Sequence, residues 1–132
     1  MPSFAGAFPE LCFDLAAELR ATGRTDLARE LEGSTVKSVS YDPETDAGLV
    51  ALEAQRELNA VERNVVGQKL GQVISFDGAH YASLQLDNFG RVVAVDLQAP
   101  PRELRWKLLR LTPNNRWRAR DARGGCPCRD TR

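Results

Sequence analysis

Residues Gln72–Gln98 read QVISFDGAHYASLQLDNFGRVVAVDLQ, and this stretch decides the fold class. An apolar run from Val73 to Phe76 meets Asp77-Gly78. A second, alternating run from His80 to Leu86 meets Asp87-Asn88-Phe89-Gly90, and Arg91 to Leu97 resumes the apolar pattern. Glycine accepts the positive φ that a type I′ turn demands, so Asp-Gly between two such runs predicts a tight hairpin. Three short antiparallel strands joined by two turns follow from these residues alone.

Working outward, Thr35 to Tyr41 places Val36, Val39 and Tyr41 among polar neighbours, the alternation of a half-buried strand. Asp42-Pro43-Glu44-Thr45-Asp46 then turns the chain: Pro43 presets φ, and the Asp42 carboxylate can accept from an amide two residues on. Gly48 to Ala54 reads as the next strand. From Gln55 to Gly67 the pattern divides. Leu58, Val61 and Val65 fit a helix, whereas Val61, Arg63 and Val65 fit a strand, and the poor helix formers Asn64, Val65 and Val66 tip the reading to strand.

Both flanks read as helical. Leu11, Leu15, Leu19, Leu27 and Leu31 recur at helical intervals between Pro9 and Gly33, with charged residues on the other face. Thr22-Gly23 interrupts the run as a C-cap, Thr25 caps a second helix from Asp26 to Leu31, and Gly33 ends it. After the strands, Pro101 opens a helix carrying Leu104, Leu108 and Leu111, widened by Trp106 and Leu109. The expected fold is therefore α+β. A helical pair (9–33) packs on an antiparallel meander (35–98), a helix follows at 101–111, and a basic, flexible tail runs from 113 to 132.

The chain has 132 residues, 42% of them apolar, enough for one domain with a core of its own, here 1–112. Eighteen basic side chains balance eighteen acidic ones, but unevenly: residues 1–100 carry 8 basic and 15 acidic, residues 101–132 carry 10 and 3. The first seventeen residues lack a basic stretch and include Glu10 and Asp14, unlike a secretory signal, and no apolar run approaches the roughly eighteen residues of a membrane span. A cytoplasmic protein with no membrane partner is expected.

Tyr41-Asp42-Pro43-Glu44-Thr45-Asp46-Ala47, followed later by Leu86-Asp87-Asn88-Phe89-Gly90-Arg91-Val92-Val93, resembles a family of small bacterial domains of unknown function. Its signature is a Tyr-Asp-x-Glu-x-Asp turn between two strands and a later Asp-x-x-Gly-Arg turn and strand. The resemblance spans roughly Val36 to Ala99, with Gly48, Ala94 and Asp96 departing from the usual residues. It implies a short β-rich unit, in some cases encoded beside small toxin-like proteins, and so an antitoxin-like or immunity-like regulatory role.

Asp42, Glu44 and Asp46 alternate, so in an extended segment their carboxylates would share one side and could hold a hard cation. Against an EF-hand loop starting at Asp42, Ala47 stands where glycine is required, although Glu53 matches the twelfth position. A solvated turn is the simpler reading, and no metal is expected. Asp87 and Arg91 would pair across the mouth of their hairpin, for at most about 1 kcal/mol if exposed. The single histidine, His80, has no nucleophile at a strained elbow to serve, and neither a phosphate-binding loop nor a dinucleotide fingerprint implies a cofactor. Cys12, Cys126 and Cys128 are too few for a closed zinc site without His80.

The composition of Arg105, Arg116, Trp117, Arg118, Arg120 and Arg123 suits phosphate backbones and base stacking. Overall the sequence reads as a non-catalytic protein-binding or regulatory module, a homodimer being compatible. Its candidate binding residues are Tyr41, Asp42, Glu44, Asp46, Asp87, Arg91, Arg105, Arg116, Trp117 and Arg118. A nucleic-acid-associated protein acting through the carboxyl-terminal segment is the alternative, and a small metal-dependent enzyme the third reading.

Overall fold

The computed structural model describes residues 2–64 and 70–113. Three helices open the chain, α1 (Phe4–Ala7), α2 (Pro9–Ala21) and α3 (Thr25–Gly33), the first of them not foreseen. Ser3 starts α1 by accepting from the Gly6 amide at 3.0 Å, and Pro9 occupies the first turn of α2, where its missing N–H costs nothing. At the end of α2 the chain makes a Schellman turn, with Gly23 at φ +82°, its amide on the Arg20 carbonyl and the Arg24 amide on that of Leu19. The Thr22-Gly23 stop is thus as expected. The start of α3 is not: Arg24 is its N-cap, no side chain caps it, and Thr25 is already helical.

Five strands form one antiparallel sheet in the order β1-β2-β5-β4-β3: β1 (Thr35–Asp42), β2 (Ala47–Glu53), β3 (Leu70–Ser75), β4 (Ala82–Asp87) and β5 (Val92–Gln98). A β1–β2 hairpin is joined to a β3–β4–β5 meander by pairing β2 with β5, and the chain crosses to the far edge between β2 and β3. The register aligns Val39 with Val50, Val50 with Val95 and Val95 with Leu84, so one apolar row runs across four strands on a single face. With Val36, Tyr41, Leu52, Leu86, Val92 and Leu97, these residues share one core with Phe4, Phe8, Leu11, Leu15, Leu19 and Leu31 of the helices. The last helix, α5 (Arg102–Leu111 by sequence, preceded in the crossover by the short α4, Ala60–Arg63), adds Leu108 and Leu109 to it. The α+β architecture read from the sequence is what the structure shows.

Two local readings are corrected. Val61 and Arg63 lie in α4, not in a strand, because Asn59 and Glu62 form a capping box: Asn59 Oδ1 accepts the Glu62 amide at 2.9 Å and Glu62 Oε1 accepts the Asn59 amide at 3.0 Å. Asp77-Gly78 does not make a type I′ turn. Among the described glycines only Gly23 and Gly90 have positive φ, and the β3–β4 connection runs from Phe76 to Tyr81. Phe76 and Ala79 drop into the core, so the loop must widen, and Glu18 of α2 accepts the amides of Asp77 (2.5 Å) and Gly78 (3.2 Å). The second turn is as expected: Gly90, at φ +80°, returns its amide to the Asp87 carbonyl at 3.0 Å.

Candidate functional site

The β1–β2 turn does not spread its acids along one side. Asp42 closes a local turn by accepting the Glu44 amide at 3.0 Å, and Asp46 swings into the left-handed region at φ +52°. That twist carries the Asp46 carboxylate onto the Tyr41 hydroxyl, which donates a short hydrogen bond to it, and to within 3.4 Å of Arg105 Nε on α5. The Asp46 carbonyl accepts the amide of Ala99, itself at φ +49°, so two left-handed residues lock this corner to the end of β5. Burial and the adjacent Asp46 carboxylate push the Tyr41 hydroxyl up to about 12. Among the described residues, no group of three His, Cys, Asp or Glu side chains is placed to hold a metal ion. Tyr41, Asp46 and Arg105 are therefore brought together, and Asp42 and Glu44 are not.

Asp87 and Arg91 sit at the other end of the sheet and pair across the hairpin turn, but the pair is buried, so the bound of about 1 kcal/mol for an exposed pair does not apply. Their side chains are only 1% and 11% exposed. Asp87 Oδ1 accepts the Phe89 and Arg91 amides at 2.9 Å each, while Oδ2 accepts Arg91 Nε at 2.8 Å. Burial alone would raise the Asp87 carboxyl, but the Arg91 amide and guanidinium and the Phe89 amide outweigh it and hold the group below its ordinary value. Arg91 also reaches the Arg56 carbonyl (2.9 Å), and Arg56 reaches the Phe89 carbonyl (2.9 Å) and a bidentate pair with Glu62. Glu30 of α3 accepts the Val92 amide at 2.7 Å. This end is a fastening between the crossover, α3 and the β4–β5 turn. Its own groups satisfy its chemistry, so it is not an open site.

An open concavity lies elsewhere, between the start of α2 and the start of α5. It is a groove of about 240 Å³ lined by Phe8, Glu10, Leu11, Asp14, Tyr81, Pro101, Glu103, Leu104 and Lys107. Phe8 and Leu11 are buried, and half-buried Tyr81 and Leu104 complete an apolar floor. Glu10, Asp14 and Glu103 are exposed around it. Helical spacing explains the arrangement: Glu10 and Asp14 are four apart on α2, and Glu103 and Lys107 four apart on α5. Lys107 Nζ stands 5.3 Å from the Phe8 ring centroid, over its face. The Tyr81 hydroxyl is raised, first by burial and then by the Asp14 carboxylate, which places that negative charge within reach of the floor.

The groove's residues were not singled out from the sequence, because residues 8–14, 81 and 101–107 meet only in the folded chain. His80 is exposed, its ring edge-on to Tyr81 at 6.3 Å between centroids. Cys12 is buried, and burial and the nearby Glu32 push its thiol up to about 11. Arg116, Trp117 and Arg118, together with Cys126, Cys128 and the expected tail, lie outside the described residues.

No protein-family model, curated protein or solved structure matches this chain. No helix among the described residues is long and apolar enough to cross a membrane.

Proposed function

We propose that this chain is a non-catalytic protein-binding or regulatory module that seats a basic, partly apolar segment of a partner protein between α2 and α5. The observation that supports the reading is the groove itself, with an apolar floor of Phe8, Leu11, Tyr81 and Leu104 and three carboxylates against one ammonium around it. A floor of this kind takes an aliphatic or aromatic side chain, and the surrounding carboxylates favour lysine or arginine on either side of it. The volume suits one or two side chains rather than a cofactor the size of a dinucleotide. An antitoxin-like or immunity-like role is the form of this reading that the resemblance of Tyr41–Ala47 and Asp87–Val93 suggests.

The test is fluorescence anisotropy with a labelled peptide alternating arginine and leucine, against the protein and a Glu10→Gln, Asp14→Asn, Glu103→Gln variant. Exposed charges contribute up to about 1 kcal/mol each, so the variant should bind roughly tenfold or more weakly. A glutamate-leucine peptide should not bind. Equal affinity of the variant and the parent for the basic peptide would remove the groove from the account.

A further inference from the structure

The outer face of α5 carries an arrangement that the groove does not use. Arg102, Trp106 and Arg110 follow one another at intervals of four residues, so they form a single stripe, and all three are exposed, Trp106 by 56%. The stripe and the groove occupy different flanks of the helix. Leu104 and Lys107 face the groove, Leu108 and Leu109 face the core, and Arg105 turns to Asp46. A singly exposed apolar side chain is ordinary on a folded domain, and Phe13 is more exposed still; what sets Trp106 apart is a guanidinium one turn away on each side, which makes it unsuited to apolar docking. The only acid on α5, Glu103, lines the groove instead.

The chemistry that fits an exposed indole between two guanidiniums is a flat π-face flanked by negative charges. A base supplies the face and the phosphates on either side of it supply the charges. Arg102 and Arg110 are separated by about 12 Å of helix axis, eight residues at about 1.5 Å each, which leaves room for a base on Trp106 with a phosphate near each arginine. An acidic protein offers the charges but no face to stack. A duplex hides its bases from a helix presented side-on, so a single strand is the better fit. Residues 101–113 carry four basic side chains, Arg102, Arg105, Lys107 and Arg110, against Glu103, which adds a field that draws a polyanion to this helix.

We infer that the Arg102–Trp106–Arg110 face of α5 is a binding surface for single-stranded nucleic acid, read without base specificity through stacking on Trp106 and phosphate contacts to the two arginines. The experiment uses the full chain carrying Trp117→Phe, which leaves Trp106 as the only indole because the sequence has two tryptophans. An oligothymidylate is titrated at several salt concentrations, reading indole fluorescence and the anisotropy of a labelled strand. The expected results are quenching of Trp106 and roughly tenfold or greater weakening in Trp106→Ala. The slope of log affinity against log salt should shrink by about 1.4 in Arg102→Gln, Arg110→Gln, at about 0.7 for each phosphate no longer neutralised. All three positions are exposed, so the variants should melt with the parent, and an Arg102→Lys, Arg110→Lys variant should keep the salt slope. Unquenched Trp106, or variants that bind as the parent does, would overturn the inference by assigning any binding to residues outside α5. Polyglutamate displacing the strand at equal charge concentration would overturn it in favour of an acidic protein partner.

Discussion

Replacing Asp87 with alanine withdraws at least three hydrogen bonds at once, among the described residues those from the Phe89 and Arg91 amides at 2.9 Å and from Arg91 Nε at 2.8 Å. The carboxylate is 1% exposed and its partner guanidinium 11%, so this is the removal of one member of a buried pair, for which about 3–5 kcal/mol is typical. Arg91 keeps the Arg56 carbonyl and lies over the Phe89 ring at 5.9 Å, which argues for the lower end, about 3 kcal/mol. The comparison is Asp42→Ala, where a single exposed amide loses its acceptor and about 1 kcal/mol or less is expected. Urea unfolding followed by circular dichroism should show a much lower midpoint for Asp87→Ala with little change in slope, and a small shift for Asp42→Ala. The sign with pH follows from the depressed carboxyl: its contribution is present above the unfolded value of about 3.9 and lost as pH falls through the lower folded value. Asp87→Asn should therefore lose less stability than the parent on acidification. Equal costs for Asp87→Ala and Asp42→Ala would refute the reasoning and return the turn to an ordinary solvated hairpin.

Tyr41, raised to about 12, contributes stability that is complete below its unfolded value of about 10 and lost as pH rises toward 12. That amounts to about 2–3 kcal/mol at about 1.4 kcal/mol per unit. Tyr41→Phe should flatten the alkaline limb of a stability-against-pH curve, and an unchanged limb would show that burial and Asp46 do not raise the hydroxyl. Gly71→Ala should destabilise more than Gly48→Ala in the same urea assay. A Cβ at Gly71 would run into the Asp87 carbonyl oxygen, which is backbone, whereas at Gly48 it meets the tip of Leu108 at 2.9 Å, which can give way. In a Cys126→Ser, Cys128→Ser protein the Cys12 thiol, buried and raised to about 11, should resist a thiol reagent until urea opens the core. Rapid labelling in native buffer would contradict that burial.

The parts of the fold that sequence reasoning reached are those fixed by neighbours along the chain. Thr22-Gly23 and Phe89-Gly90 terminate elements through the positive φ that glycine permits, whereas the Tyr41–Asp46 contact, set by the left-handed twist at Asp46, was not foreseen. Asp77-Gly78 misled because its conformation is set by Glu18, 59 residues earlier, together with two apolar side chains that the core draws in. At Gln55–Gly67 a legible signal was outweighed: Asn59 and Glu62 have the spacing of a capping box, and low propensities at Asn64, Val65 and Val66 obscured it. Arg105 was singled out as a nucleic-acid contact, yet it faces Asp46 and donates toward the Pro100 carbonyl, leaving Arg102 and Arg110 to face outward. The groove was beyond reach because it joins residue 8 to residue 107, and no local pattern records that meeting.

The central claim is that the α2–α5 groove receives a basic segment, and amide and side-chain shift mapping of the full chain by nuclear magnetic resonance tests it most directly. With the arginine-leucine peptide added, saturable shifts should gather at Leu11, Asp14, Tyr81, Leu104 and Lys107, and the Phe89–Val92 turn should stay still. Shifts confined to other surfaces, or none at peptide concentrations that saturate the anisotropy signal, would contradict the account.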